Sequence, residues 1–241
     1  DISQETSTTY LMELTAQYSK SFGDHNLKAI GGYSFQKFKN DGFSAGNSDF
    51  LVDGFGYNSL GSGNYKKPSV SSWASINSIA SLFARANYSY KGKYLFNGSF
   101  RRDGSSAFSY TGNQWQNFYS AGAGWLMTEE EFMKDISWLD MLKLKGSWGT
   151  LGNQNLDTAY PAEPLLENAF GAVFGNPSTI YPGYQLAYLP NANLRWEKVE
   201  AWEAGFESNM FRNRLHVEGV YYKKNTKDLL AKVPGLSGTI P

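Results

Sequence analysis

The feature that most limits what this chain can become is an odd–even alternation of apolar and polar residues, repeated along most of its length. From Tyr10, the side chains of Tyr10, Met12, Leu14, Ala16 and Tyr18 fall on one face, and Glu13, Thr15, Gln17 and Ser19 on the other. A period of two is the signature of an extended strand with one face in an apolar setting. Gly23-Asp24-His25-Asn26 then reads as a tight turn. The pattern resumes with Leu27, Ala29, Gly31, Tyr33 and Phe35 against Lys28, Gly32, Ser34 and Gln36, with Ile30 as an exception. It recurs at Leu82–Tyr90, Tyr94–Phe100, Tyr119–Trp125, Leu142–Trp148, Trp202–Met210 and Leu215–Tyr221. This predicts about eight antiparallel strands in four hairpin pairs. Aromatic residues at 16% and 25 glycines suit pleated sheet and turns rather than helices.

The sequence has no apolar run approaching the roughly 20 residues of a membrane-spanning helix. A membrane barrel needs only about 9–11 residues per strand, with alternate residues free to be polar. Two features select a membrane barrel over a soluble sheet. Charges avoid the middle of the apolar face; Lys20, Lys37 and Lys223 are expected near strand ends, within reach of the interface. Connections alternate between tight (23–26, 91–93, 211–214) and long, polar and Gly/Asn/Ser-rich (near 40–78, 103–117 and 152–197). Short periplasmic turns and long extracellular loops produce this alternation. All eight prolines fall outside the expected strands. One short-side connection differs: Thr128-Glu129-Glu130-Glu131 has a capping pattern, and Phe132, Ile136 and Leu139 follow at helical spacing, predicting a short helix over about 129–140.

Catalytic and metal chemistry find little support. With 22 basic and 22 acidic residues there is no excess charge, and no basic stripe for nucleic acid. There is no cysteine, hence neither disulfide nor thiol chemistry. His25 and His216 are far apart, too few for a zinc site. Asp41, Asp49 and Asp53 lack calcium-loop spacing. Arg101-Arg102-Asp103-Gly104-Ser105-Ser106 lacks phosphate-loop spacing and reads as a strand end entering a turn. Glu129, Glu130 and Glu131 read as helix N-terminal charge rather than catalytic carboxylates. No metal, cofactor or catalytic residue is therefore assigned. The candidate contacts for a ligand or partner are the loop aromatics Tyr57, Tyr65, Trp73, Tyr110, Trp115, Tyr181, Tyr184 and Tyr188, which could stack on sugars or anchor a protein. The competing reading is that they pack the loops together.

Several strings resemble the SusC/RagA family of TonB-linked outer-membrane transporters of Bacteroidetes-type bacteria. They begin at Phe83-Ala84-Arg85-Ala86-Asn87-Tyr88-Ser89-Tyr90 and continue through Arg102-Asp103-Gly104-Ser105-Ser106 and Gly112-Asn113-Gln114-Trp115. Trp125, Glu129-Glu130 and Phe132-Met133 follow, then Leu142-Lys143-Leu144-Lys145 with Ser147, Gly149, Gly152, Asn153 and Gln154. The later run holds Leu194-Arg195-Trp196-Glu197, Gly205, Phe211-Arg212-Asn213-Arg214-Leu215 and Tyr221-Tyr222 to Thr226, Asp228, Leu229 and Leu230. Ala107 and Tyr119 depart from the family pattern, where a basic residue and a proline are common. The resemblance spans about residues 80–230; the first 80 fit by alternation only.

The resemblance implies an outer-membrane, multi-pass barrel of about 22 strands with an N-terminal plug. It implies import of glycan or peptide fragments, energy from the TonB complex and a SusD-like surface lipoprotein as partner. Residues 1–241 would then be part of the barrel domain, without the plug, the TonB-contact segment or the other strands. The start at Asp1-Ile2-Ser3-Gln4, with no secretory leader, fits a processed or truncated chain. Two other architectures compete. A complete small barrel with a structural or adhesion role would pair Tyr10–Phe22 with Leu215–Thr226. A soluble carbohydrate-binding β-sandwich would bury its apolar face under a second sheet. A surface hydrolase is disfavoured by the missing catalytic constellation.

Overall fold

The computed structural model describes residues 1–64, 68–156, 162–174, 179–187 and 190–231, and their side chains except at 53, 55 and 168–182. Among the described residues there are ten strands: β1 (Ile2–Phe22), β2 (His25–Gly46), β3 (Ser69–Tyr90), β4 (Tyr94–Ser105), β5 (Trp115–Leu126), β6 (Leu139–Asn153), β7 (Leu166–Phe174), β8 (Thr179–Leu186), β9 (Glu197–Met210) and β10 (Leu215–Lys227). Eight form one antiparallel sheet in the order β1-β2-β3-β4-β5-β6-β9-β10; β7 and β8 form a separate ladder. β1 pairs only with β2, and β10 only with β9, among the described residues. A closed eight-stranded barrel is therefore not formed.

The register carries the sequence alternation across all eight strands. Tyr18 pairs with Ala29, Ala29 with Ala86, Ala86 with Gly98, Gly98 with Ala121, and Ala121 with Trp148. Because side-chain direction alternates along a strand, one row fixes the whole apolar face. Among the described residues no second sheet covers that face: Leu14, Leu82 and Tyr221 remain 71%, 53% and 75% exposed. A soluble sandwich would have buried them. At the tight-turn end, Phe22, His25, Tyr90, Tyr94 and Trp125 form one row across five strands. Rings along it approach to 5.1 Å (Phe22–His25), 4.7 Å (His25–Tyr90) and 6.2 Å (Tyr90–Tyr94). Such a belt is what a membrane interface selects.

Several expectations are corrected. The strands of the first two hairpins run much farther than the alternation indicated: β1 begins at Ile2, and β2 and β3 reduce the expected 40–78 loop to 47–68. Lys37 consequently sits mid-strand, at the border of the apolar band rather than at a strand end. β4 continues through Asp103-Gly104. There Arg101 Nε donates to both Asp103 carboxylate oxygens (2.7 and 2.8 Å), so Asp-Gly serves a strand instead of a turn. Pro182 lies inside β8, opposite the register shift between Ala169 and Ala172, a bulge where no ladder donor is needed.

The helix expected over about 129–140 is absent. Two single 3₁₀ turns, Met127–Glu129 and Glu131–Met133, stand there instead, separated by Glu130 in an extended conformation (φ −85°, ψ 149°). The Glu130 carboxylate accepts from Lys93 Nζ (2.6 Å), the Tyr94 hydroxyl (2.6 Å) and Trp125 Nε1 (3.0 Å). Thr128 Oγ1 accepts from the backbone N–H of Leu142 (3.3 Å) rather than capping a helix. Pulling Glu130 toward β4 and β5 breaks the helical path.

These donors, Lys93 first, hold the Glu130 carboxyl down at about 2, and the same bond raises Lys93 above the usual lysine range. A depressed carboxylate stabilises the fold above its unfolded pKa, and that contribution is lost as pH falls through the folded value. The connection 127–134 should therefore hold its native geometry at pH 4 and release it toward pH 2. Trp125 fluorescence or local amide exchange in the full-length protein reads this directly. Glu130→Gln should remove the acid transition.

Candidate functional site

Two regions gather polar or aromatic side chains beyond what the sheet itself requires: the polar face of β6, β9 and β10, and the loop end above it. On the polar face, Lys143 Nζ lies 3.4 Å from Glu207 Oε2, and Lys145 Nζ lies 3.9 Å from the same atom. Lys145 also donates to Glu218. These pairs join three strands into a ladder of alternating charge. Beside it lies an open depression of about 400 Å³ floored by Gly122, Gly124 and Gly205, with Asn97, Ser147 and Glu203 on its walls. Glycine at 205 keeps that floor low, since a Cβ there would run into the Gly219 carbonyl and Val220. Farther out on the polar face, Arg101 bridges Asp103 and Ser81, donating to Ser81 Oγ at 2.9 Å.

At the loop end the structure builds a small core of its own. The β5–β6 ladder stops at Ser120↔Gly149, although both strands continue. Thr150 Oγ1 accepts the Tyr119 backbone N–H (3.0 Å) at the point where they part. Phe108, Phe118 and Trp196 fill the opening, with Leu156, Leu194 and Leu230 packed around them. Phe118 stands where any side chain on Gly152 would go. Trp196 Nε1 donates to the Gln114 carbonyl (2.9 Å), and Asn113 Nδ2 donates to the Leu194 carbonyl (3.1 Å). Segments distant in sequence are thus tied into one platform.

The expected aromatic contacts are distributed unevenly about this platform. Tyr57, Tyr110 and Tyr184 are 67%, 60% and 65% exposed, and Trp73 lies across Gly42 on the polar face. Trp115 belongs to the apolar face, where Arg102 stacks over its ring at 5.3 Å. The backbone of Tyr181 is in β8, but its side chain lies outside the described residues, as do Tyr65 and Tyr188 entirely. None of the five whose side chains are described joins the loop core. Phe108 and Phe118 were not singled out in the sequence, and Trp196 only as part of a family string, not as a core residue. The charge ladder was half legible, since Lys143 and Lys145 alternate on one face, as do Glu203 and Glu207. Their pairing spans the long connection carrying β7 and β8, which no local pattern reports.

This constellation does not resemble a catalytic centre. His25 Nδ1 shares a hydrogen bond with the Tyr88 hydroxyl (2.7 Å), and His216 Nδ1 with Asn209 Oδ1 (2.6 Å). No group of three or more metal-ligating side chains exists among the described residues. What the polar face offers is a charged, small-residue wall, and what the loop end offers is a rigid aromatic platform.

The family model "TonB dependent receptor-like, beta-barrel" matches residues 2–240. The chain is 36% identical over 228 residues to TonB-dependent receptor P3 of Formosa agariphila, covering 94% of this chain and 22% of that one. It is 34% identical over 231 residues to the TonB-dependent receptor SusC of Bacteroides thetaiotaomicron, covering 92% and 22%. The chain thus spans about a fifth of the length of these curated relatives. Among solved structures it superposes on the RagAB peptide importer in its closed-closed state with a TM-score of 0.80 and 26% identity, over 97% of this chain and 25% of that one.

Proposed function

Because this chain belongs to the TonB-dependent receptor-like β-barrel family, among its SusC/RagA-type members, we propose that it forms roughly a third of the wall of a 22-stranded outer-membrane importer. That family resides in the outer membrane, and the chain is not an enzyme. In this reading the apolar face meets lipid and the polar face, with its Lys143–Glu207–Lys145–Glu218 ladder, lines the lumen. Tight turns lie in the periplasm and long loops outside. The cargo is an oligosaccharide or peptide fragment. A SusD-like lipoprotein closes the loop end, and the plug and TonB-contact segment belong to other parts of the full-length receptor. Tyr57, Trp73, Tyr110 and Tyr184 are the proposed loop-end contacts to cargo or lipoprotein. Trp115 is assigned to the lipid interface instead.

The observation that carries this reading is the fully uncovered apolar face beside a charged opposite face. In water that face would be an aggregation surface; in a bilayer it is the required one. Sidedness can be tested with single cysteines, since this chain has none. In the full-length receptor in intact cells, Tyr57→Cys should react with a membrane-impermeant maleimide, and Asp24→Cys should react only after the outer membrane is opened. The reverse pattern would invert the topology, and equal labelling of both would rule out a spanning sheet.

A further inference from the structure

Cations on the apolar face collect on one side of its aromatic band. β2, β4 and β10 all run from the tight-turn end to the loop end, and each places a cation one same-face position beyond an aromatic: Lys37 after Phe35, Arg102 after Phe100, Lys223 after Tyr221. The neighbouring register is aromatic too. Lys37 pairs with Tyr10, and Arg102 stacks on Trp115. Lys223 pairs with Trp202, whose ring lies 5.9 Å from that of Trp148. Farther toward the loops on the same face come Lys39, Lys198 and Lys227. The acids on this rim are engaged elsewhere: Asp41 binds Lys39 at 2.8 Å, while Glu200 accepts from Trp148 Nε1 (3.0 Å) and lies 3.8 Å from Lys227. The side chains of Lys37, Arg102 and Lys223 have no ion pair or hydrogen bond among the described residues. On the polar face, by contrast, Lys143, Lys145 and Arg101 each hold a carboxylate.

We propose that this rim binds the phosphate groups of a phosphorylated glycolipid in the outer leaflet. The proposal rests on the bilayer orientation given above. A guanidinium or ammonium at the border between acyl chains and headgroups needs a counter-anion, and the described residues supply none to these three. The aromatics directly beneath would lie against the sugar and upper acyl region, which fixes the height at which a phosphate meets the cations. Strand geometry, rather than loop conformation, sets the spacing, so the site is in place before lipid arrives. Lys20, on the same face but at the tight-turn end, would face the other leaflet and take no part.

The test uses the full-length receptor, purified in a neutral detergent and titrated with lipid A carrying its phosphates and with the same lipid dephosphorylated. Bound lipid is counted by native mass spectrometry. The wild type should prefer the phosphorylated lipid by at least about tenfold. The triple variant Lys37→Gln/Arg102→Gln/Lys223→Gln should lose that preference, and Lys20→Gln should keep it. Equal binding of the two lipids by wild type would overturn the proposal without reference to any variant, as would a triple variant that keeps the preference. Outer-membrane fractionation and the heat-dependent gel shift of folded barrels are measured alongside. A receptor that inserts but shows no phosphate preference sinks this proposal alone, whereas one that never partitions into the membrane sinks the orientation it rests on.

Discussion

Replacing Ala86 with arginine should largely abolish assembly of the full-length receptor into the outer membrane. Ala86 is exposed at the centre of the small-residue row, between Ala29 and Gly98. The aromatic row at the tight-turn end and the Phe100–Tyr119 and Trp148–Trp202 pairs flank it. It therefore sits at mid-band, where an arginine facing lipid costs about 2–4 kcal/mol. The side chain cannot reach either interface without bending the strand. The same substitution at Gln17, on the polar face of β1, should be tolerated, because that face meets water or protein. The comparison is read as the fraction of receptor showing the heat-dependent gel shift in outer-membrane preparations. Equal loss in both variants would mean that the faces are misassigned.

Trp196→Ala should leave that gel shift intact and open the loop platform. Trp196 is buried, contacts the rings of Phe108 (5.5 Å) and Phe118 (5.9 Å), and donates to the Gln114 carbonyl. Removing a buried tryptophan costs about 3–5 kcal/mol. That exceeds what a loop core of a few side chains can spare, while the ladder of β1 to β6 does not depend on it. Limited proteolysis should cut at residues 190–196, beside the platform, in the variant and not in wild type. Trp196→Phe keeps a ring but loses the indole donor, so it should be milder by most of that amount, with about 1 kcal/mol lost. A wild-type proteolysis pattern in Trp196→Ala would show that the platform is held by its strands instead.

How far the sequence could be read follows from where the bilayer imposes a pattern. Between the aromatic row at the tight-turn end and the aromatics beneath Lys37, Arg102 and Lys223, each residue in the proposed orientation faces either lipid or lumen, and the alternation from Tyr10 to Tyr18 or from Leu82 to Tyr90 reports it cleanly. Outside that zone both faces are wet. Ile2–Thr9, Asn40–Gly46 and Ser69–Asn77 are strands whose Ser, Thr, Gly and Asn residues alternate nothing, so they read as loop. The helix near 129–140 failed for a different reason. Its capping pattern was real, but donors on Lys93 in the β3–β4 turn, Tyr94 in β4 and Trp125 in β5 compete for Glu130, and tertiary bonding overrides a local preference of this size. The β6–β9 pairing and the Phe108–Phe118–Trp196 core join segments brought together only by the sheet. Tyr57, Tyr110 and Tyr184 were legible as exposed groups; the loop core of Phe108, Phe118 and Trp196 was not.

The length of the first strands carries one more consequence. β2 has 22 residues, about 70 Å of extended chain. Tilted by about 40°, it rises about 55 Å, against an apolar band of about 25 Å. In the importer proposed above, the wall formed by β1, β2 and β3 would stand well clear of the headgroups, like a parapet on one side of the entrance. Cargo arriving there would meet a stiff, hydrogen-bonded palisade before the membrane plane. The first discrimination would then be by size and shape, at a distance from the lipid and at no cost in loop ordering, because a ladder holds that rim.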